Sequence, residues 1–334
     1  MRFCAPAVST LDIVMSHFYI TFLAVAQMLA FAAPAYLLTR VKKFDERSIT
    51  SCVTLLLYVS QPCLTAYSFQ KATVLVRDGA VTMEQMLIRG GIILGLSLAL
   101  QAAFLALSYL VLRKRQEEAQ YRIFAIAAVF GNSGFFGVPI LEAVMGEAHP
   151  EVAMFSALFS LVMNTMSWTV GSTIITRDRK YISAKKIFFN PNTIAAAVAI
   201  VMLCFTFVLP DRISSMVATL GTFSTPLCMF ILGMRLALVD IKELLCNWRQ
   251  YAVAMVKNVG MPLFAFAVLY FIPVEGYLKQ ALFIICCCPV ANMVLSFSEM
   301  LGKGQKTAAN VVLLSTILSL ATLPLLCLLL PYLA

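Results

Sequence analysis

The strongest constraint on this chain is a succession of apolar stretches, each about as long as a bilayer is thick. A helix crossing the hydrocarbon core needs roughly 20 predominantly apolar residues, within about 17–25. Ten such stretches follow one another, at 17–39, 48–70, 87–112, 123–146, 151–175, 192–209, 213–238, 251–272, 278–301 and 307–332. Unbroken runs such as Ile92–Leu112 predict helices, because strands of a transmembrane barrel would alternate over segments of about ten residues. The connections are short and leave no room for a sizeable soluble domain. Composition agrees: 61% of the 334 residues are hydrophobic and 12% charged, where a soluble domain has roughly half and a quarter. So much apolar surface cannot hide in one water-soluble core. Disordered, nucleic-acid-binding and disulfide-stapled classes are thereby excluded. The first residues are mixed (Arg2, Pro6, Asp12), and the run behind them has full span length. It reads as a retained first helix rather than a signal peptide.

The net charge of +9 is a topological signal. With alternate connections assigned to opposite sides, 18 of the 25 basic residues fall on one side. They include Arg40–Arg47, Arg113–Arg122, Arg177–Lys186, Arg235–Arg249, Lys303 and Lys306. The positive-inside rule makes that side cytoplasmic and puts both termini outside, in a multi-pass protein of the plasma membrane, here a bacterial inner membrane. Basic runs such as Arg113–Arg115 read as topology determinants and lipid-headgroup contacts, not as nucleic-acid sites. Of the ten cysteines, eight fall inside expected spans, where cysteine acts as a small apolar residue. Cys286–Cys288 lacks CxxC spacing, and both histidines, His17 and His149, lie at the outer edge. No metal site is expected.

Ten spans divide into two halves of five, and an odd number inverts the second half. Residues 1–190 form the first repeat and 191–334 the second. Spans 2 and 7 each carry a mid-span proline behind a polar pair, Ser60-Gln61-Pro62 and Ser224-Thr225-Pro226. Spans 4 and 9 carry Pro139 and Pro289. Proline removes a backbone donor and disrupts the helix ladder. Paired interrupted helices are the best sequence pointer to a transporter's binding site.

Span 4 goes further. Gly131-Asn132-Ser133-Gly134-Phe135-Phe136-Gly137-Val138-Pro139-Ile140 places three glycines, an asparagine, a serine and a proline at bilayer depth. Unwound backbone there must be buried in protein or line a wet cavity. Pro139 suits the first turn of a new half-helix. The freed N–H groups of such a half-helix favour an anion, with Asn132 and Ser133 as neutral partners. Span 9 offers Pro289-Val290-Ala291-Asn292, with Ser296 and Ser298 following. The two helices run antiparallel, so their breaks can cross and bring Asn132 and Asn292 together. For Asn292 an interhelical hydrogen bond stands beside the binding role.

GNSGFFGVPI at 131–140 resembles the fourth-helix motif of the auxin efflux carrier family, whose plant members are the PIN-formed exporters. Phe189-Asn190-Pro191-Asn192, Thr225-Pro226-Leu227, Leu232-Gly233-Met234, Pro289–Asn292, Ser315-Thr316 and Leu323-Pro324-Leu325 extend the resemblance over nearly the whole chain. About 16 residues separate spans 5 and 6, so the long central loop of the plant exporters is absent, as in the short bacterial branch. The resemblance implies an all-α fold of ten transmembrane helices, arranged as two inverted five-helix repeats and related to the bile acid sodium symporters. Spans 1, 2, 6 and 7 would form a scaffold. Spans 3–5 and 8–10 would form the transport domain, with broken helices 4 and 9 crossing at Pro139 and Pro289. It implies an efflux carrier of a small organic anion such as a carboxylate, held near Asn132, Ser133, Gly134, Pro139, Pro289 and Asn292. A homodimer is implied as well. The departures around the site leave auxin itself unimplied.

Among other intramembrane polar residues, Lys257 lies about two turns into span 8 and reads as a snorkelling lysine, with a substrate-anion role as the alternative. Glu299 reads as a headgroup contact, with an ion or proton site as the alternative. Gln27, Gln61, Gln101, Asn164 and Asn258 read as interhelical hydrogen-bonding groups. Gln61 is also kept as an ion or substrate candidate. No aspartate sits at mid-membrane in any span. Coupling is left open between sodium, protons and none. A channel lacks its symmetric rings here, an enzyme its convergent acid, base or nucleophile, and an ATP-driven pump its phosphate-binding loop. A sodium-coupled symporter and a non-transporting sensor remain as alternatives.

Overall fold

The computed structural model describes residues 10–177, 188–295, 298 and 304–334. The main helices, in chain order, are α1 (Met15–Arg40), α2 (Glu46–Arg77), α3 (Met83–Arg115), α4 (Ala119–Ala127), α5 (Ser133–Met145), α6 (Val152–Thr176), α7 (Pro191–Cys204), α8 (Asp211–Leu238), α9 (Trp248–Tyr270), α10 (Gly276–Cys286) and α11 (Gln305–Cys327). Seven of them are long and apolar enough to cross a membrane, while α5, α7 and α10 are shorter apolar helices. Among the described residues the one β-type contact is an isolated antiparallel bridge between Gly131 and Val290. The chain is thus an all-helical, multi-pass membrane protein.

The helix limits follow local chemistry. Asp45 and Thr82 close capping boxes with Ser48 and Gln85 at the starts of α2 and α3. Asn190 caps α7 and Pro191 takes its first position. That helix ends sooner than the apolar run suggests, since the chain turns at Thr206 with φ 50°. Before Pro62, Pro139 and Pro262 the helix widens into a single π-turn, at Leu56–Ser60, Ser133–Gly137 and Val256–Gly260. Proline supplies no N–H to the preceding turn, and its ring pushes the i−4 carbonyl aside.

Hydropathy does not distinguish inner from outer helices, but packing does. In α6 and α11, 72% and 67% of the most apolar window is buried, against 22% in α1 and 28% in α2. The latter two are exposed over most of that window. Helix α8 lies close against both. At Gly233 a Cβ would collide with the Ala32 carbonyl of α1, and at Gly221 it would come within 2.9 Å of the Leu64 backbone of α2. Helix α2 also holds α7 through Thr65 Oγ1, which donates to Asn192 Oδ1 at 2.6 Å. At the end away from the basic loops, Arg89 reaches Glu275 at 3.2 Å and Glu151 at 3.7 Å, while His149 stacks on Tyr277. These contacts tie α3 to the start of α10.

Candidate functional site: the helix crossing

Two breaks at mid-depth meet. The N–H of Asn132 donates to the Pro289 carbonyl at 2.7 Å, and the N–H of Ala291 donates to the Phe130 carbonyl at 2.9 Å. The chain between α4 and α5 therefore pairs with the chain leaving α10 as a two-bond antiparallel bridge centred on Gly131 and Val290. This satisfies backbone groups that lipid could not. It also corrects the position expected for the crossing. Pro289 is at it, but Pro139 lies eight residues beyond Gly131, in the helix that follows the π-turn. Backbones touch where no side chain intervenes. A Cβ on Gly131 would sit 3.1 Å from Lys257 Cε and Nζ and 3.3 Å from the Cys288 carbonyl.

Serines fix each break. Ser156 Oγ donates to the Ser133 carbonyl at 2.7 Å, and Ser133 Oγ lies 2.7 Å from Ser160 Oγ. On the other break, the Val290 N–H donates to Ser315 Oγ at 3.1 Å. Ser133, expected as a ligand group, is fully buried and committed to this clamp.

Lys257 does not snorkel. Its side chain is 1% exposed. Its Nζ donates to the Cys286 carbonyl at 2.8 Å and the Cys288 carbonyl at 2.7 Å. Those carbonyls end α10, where the ladder stops and the helix dipole is negative. A lysine inside the protein thus caps a half-helix at the crossing, and a headgroup is out of its reach. Asn258 beside it donates to the Ser315 carbonyl at 2.7 Å, the interhelical role expected of it. Gln101 similarly reaches the Phe159 carbonyl, at 3.5 Å. Gln27 faces outward. Glu299 and Ser296 lie outside the described residues.

A cavity of about 220 Å³ abuts the crossing. Asn132, Gly134 and Asn292 line it, as does Gln61, whereas Ser133, Pro139, Pro289 and Lys257 do not. From the crossing its wall extends along α6 through Ser160, Asn164 and Trp168, and along α8 to Arg235. Asn190 and Val53 complete it, so the cavity runs from the crossing toward the basic end of the molecule. Asn164, read as interhelical, instead has a buried Oδ1 with no hydrogen-bond partner.

The sequence reading missed two residues here. Arg235 is the only charged side chain among the described lining residues. Counted by charge it reads as a loop residue, although Cys228, Ile231 and Arg235 recur at helical spacing on one face of α8. Cys228, taken as a filler, accepts from Asn292 Nδ2 at 3.1 Å and from Asn132 Nδ2 at 3.7 Å. A thiol sulfur is a weak acceptor, so both amides touch α8 without being strongly bound to it. Thr225 Oγ1 makes a firmer contact, donating to the Phe135 carbonyl at 2.9 Å.

Lys71 of α2 donates to Glu142 Oε1 of α5 at 2.7 Å, and the ammonium lies over the Tyr67 ring. Both residues sit inside helices, and the pair ties the wall helix α2 to the second half of the broken helix.

No curated protein matches the chain. A family model described as membrane transport protein matches residues 20–327. That match runs through every element of the crossing and the cavity, and the chain belongs to this family of membrane transporters, the auxin efflux, PIN-like family.

Proposed function

We propose that the chain is a secondary carrier of a small organic anion, a carboxylate, working by alternating access around the crossing. The observation that carries this reading is the cavity with Arg235 as the one charged residue among its described lining, beside two weakly held asparagine amides and the N-terminus of α5. A guanidinium presents a planar fork matched to a carboxylate. Amide donors and a half-helix N-terminus add neutral and partial positive charge. A volume of about 220 Å³ falls below the roughly 300–1,000 Å³ of drug-sized pockets. It favours a compact acid over a steroid.

In this reading the molecule has ten spans in two inverted repeats, 1–190 and 191–334. Support comes from the antiparallel bridge at the breaks, from a serine of the following helix fixing each break, and from paired bonds from Gln101 to α6 and Asn258 to α11. Spans 1, 2, 6 and 7 hold still while spans 3–5 and 8–10 move. The basic end faces the cytoplasm of a bacterial cell and both termini face outward. The cavity then opens inward, the loading side for efflux, and Lys71–Glu142 closes the outside. Rocking separates α2 from α5 and Cys228 from the two asparagines. Because the Lys257 ammonium already satisfies the carbonyls of Cys286 and Cys288, that position needs no metal cation, which favours transport without sodium.

The test is ligand-induced thermal stabilisation of purified protein with malate, malonate, succinate, indole acetate and a bile acid, with and without sodium. A ligand at a hundred times its dissociation constant adds about 2.7 kcal/mol. A sodium-independent shift with a small carboxylate, lost in Arg235→Gln, is the expected result. A shift that requires sodium replaces this reading with a symporter. No shift with any acid overturns the carboxylate assignment and favours a sensor.

A further inference from the structure

A second cavity lies on the transport-domain side, well away from the first. It is a groove of about 360 Å³ between α3, α4 and α9, near the basic end. Its walls are apolar: Phe104 and Leu107 of α3, Phe124 and Ala128 on the α4 side, Val253 and Val256 of α9. Two arginines stand at its mouth. Arg115 donates to Tyr121 Oη at 3.0 Å and lies over that ring, and Arg249 lies over the same ring at 5.9 Å. Both are exposed, and neither forms a salt bridge with an acidic side chain among the described residues. The acidic residues nearest Arg115 along the chain are engaged elsewhere, Glu117 with Arg177 and Glu118 with Gln120. Trp248, 70% exposed, sits on the rim.

We propose that this groove binds an anionic phospholipid of the leaflet at the basic end. Its acyl chain would lie between Phe104, Phe124 and Val256, and its phosphate between Arg115 and Arg249. Charge complementarity selects the occupant. An apolar slot open to the bilayer takes hydrocarbon, and two arginines with no acidic partner among the described residues, held on one tyrosine, take an anionic headgroup. An interfacial tryptophan marks the headgroup level. The site also touches the crossing. The chain at Ala128 leads directly into Gly131, and Val256 opens the π-turn that carries Lys257. An acyl chain in the groove therefore supports both the α4 end and the capping lysine from the lipid side.

The experiment measures retention of phosphatidylglycerol and phosphatidylcholine by the purified full chain, using native mass spectrometry and melting in mixed micelles. Wild type should retain and be stabilised by phosphatidylglycerol in preference to phosphatidylcholine. Arg115→Gln/Arg249→Gln should bind phosphatidylglycerol about 30-fold more weakly, equivalent to about 1 kcal/mol for each arginine. The control, Arg113→Gln/Lys114→Gln, removes two charges from the same turn but none from the groove, and should bind like wild type. Ala252→Phe fills the slot with all charges kept, and should also lose the lipid. Equal retention of both lipids by wild type overturns the proposal. So does an equal loss in the control pair, which would mean diffuse surface attraction, or unchanged binding in Ala252→Phe.

Discussion

Replacing Lys257 by methionine keeps the length of the stem and removes the ammonium that ends α10. Two carbonyls, of Cys286 and Cys288, then lose donors at 2.8 and 2.7 Å in a region sealed from water. A buried unsatisfied carbonyl costs about 1–3 kcal/mol, so the pair amounts to about 2–6 kcal/mol. Part of this is returned, since the variant no longer buries a cation. A net loss of about 2–4 kcal/mol remains. At roughly 2–4 °C per kcal/mol, the value for domains of about 150–250 residues, the melting temperature should fall by roughly 4–16 °C. The assay is thermal unfolding in detergent, followed by substrate flux in proteoliposomes. Flux should fall with stability, because the chain at Gly131 packs directly on the lysine stem. Lys257→Arg should fail to rescue it, since there is no space beside Gly131 for a wider head. Hard cations take oxygen ligands, so sodium chloride should raise the melting point of Lys257→Met more than choline chloride does. A methionine variant that melts and transports like wild type would refute the capping role.

Other substitutions probe the remaining parts. Asn132→Ala and Asn292→Ala should each reduce flux at least tenfold while folded protein still reaches the membrane, read by transport against surface-expressed protein. In the proposed cycle, Glu142→Gln breaks a half-buried pair worth about 1 kcal/mol and should shift the equilibrium toward an open outer face about fivefold. Distances between spin labels at the outer ends of α2 and α5 report that shift, and the exchange Lys71→Glu/Glu142→Lys should restore the closed state. Cys228→Ser gives the two asparagines a stronger acceptor and should slow turnover with little change in substrate affinity, measured by initial rates over a concentration series. Gly131→Ala places a methyl 3.1 Å from Lys257 and 3.3 Å from the Cys288 carbonyl. It should lower the melting temperature by several degrees, whereas Pro139→Ala, away from the crossing, should not.

The helices were legible because each is a local matter. An apolar run, an Asp45 or Asn190 cap and a proline bound a helix within a few residues of chain. The break in span 4 was legible for the same reason, since glycines and polar groups at bilayer depth have few other uses. Asn132, Gly134, Asn292 and Gln61, singled out as candidates, line the cavity, and the family followed from the motif around the break. The misreadings lie in placement and in partners. Ser133 looked like a ligand group and is a clamp, Pro139 looked like the crossing and lies beyond it, and Lys257 looked lipid-bound and is buried.

What the sequence alone determined, then, was a helical membrane protein and the place where its backbone is interrupted, since hydropathy and helix breaking act over one or two turns. Only the tertiary structure decided where each stranded polar group ends. Lys257 meets carbonyls 29 and 31 residues away, Cys228 meets amides 96 and 64 residues away, and Thr65 meets an amide 127 residues away. A buried polar group inside a membrane must find a partner, but the chain does not announce which one. That choice is fixed by which backbones can approach, and here it falls to a glycine that leaves room for a bridge and a lysine that fills the space beside it.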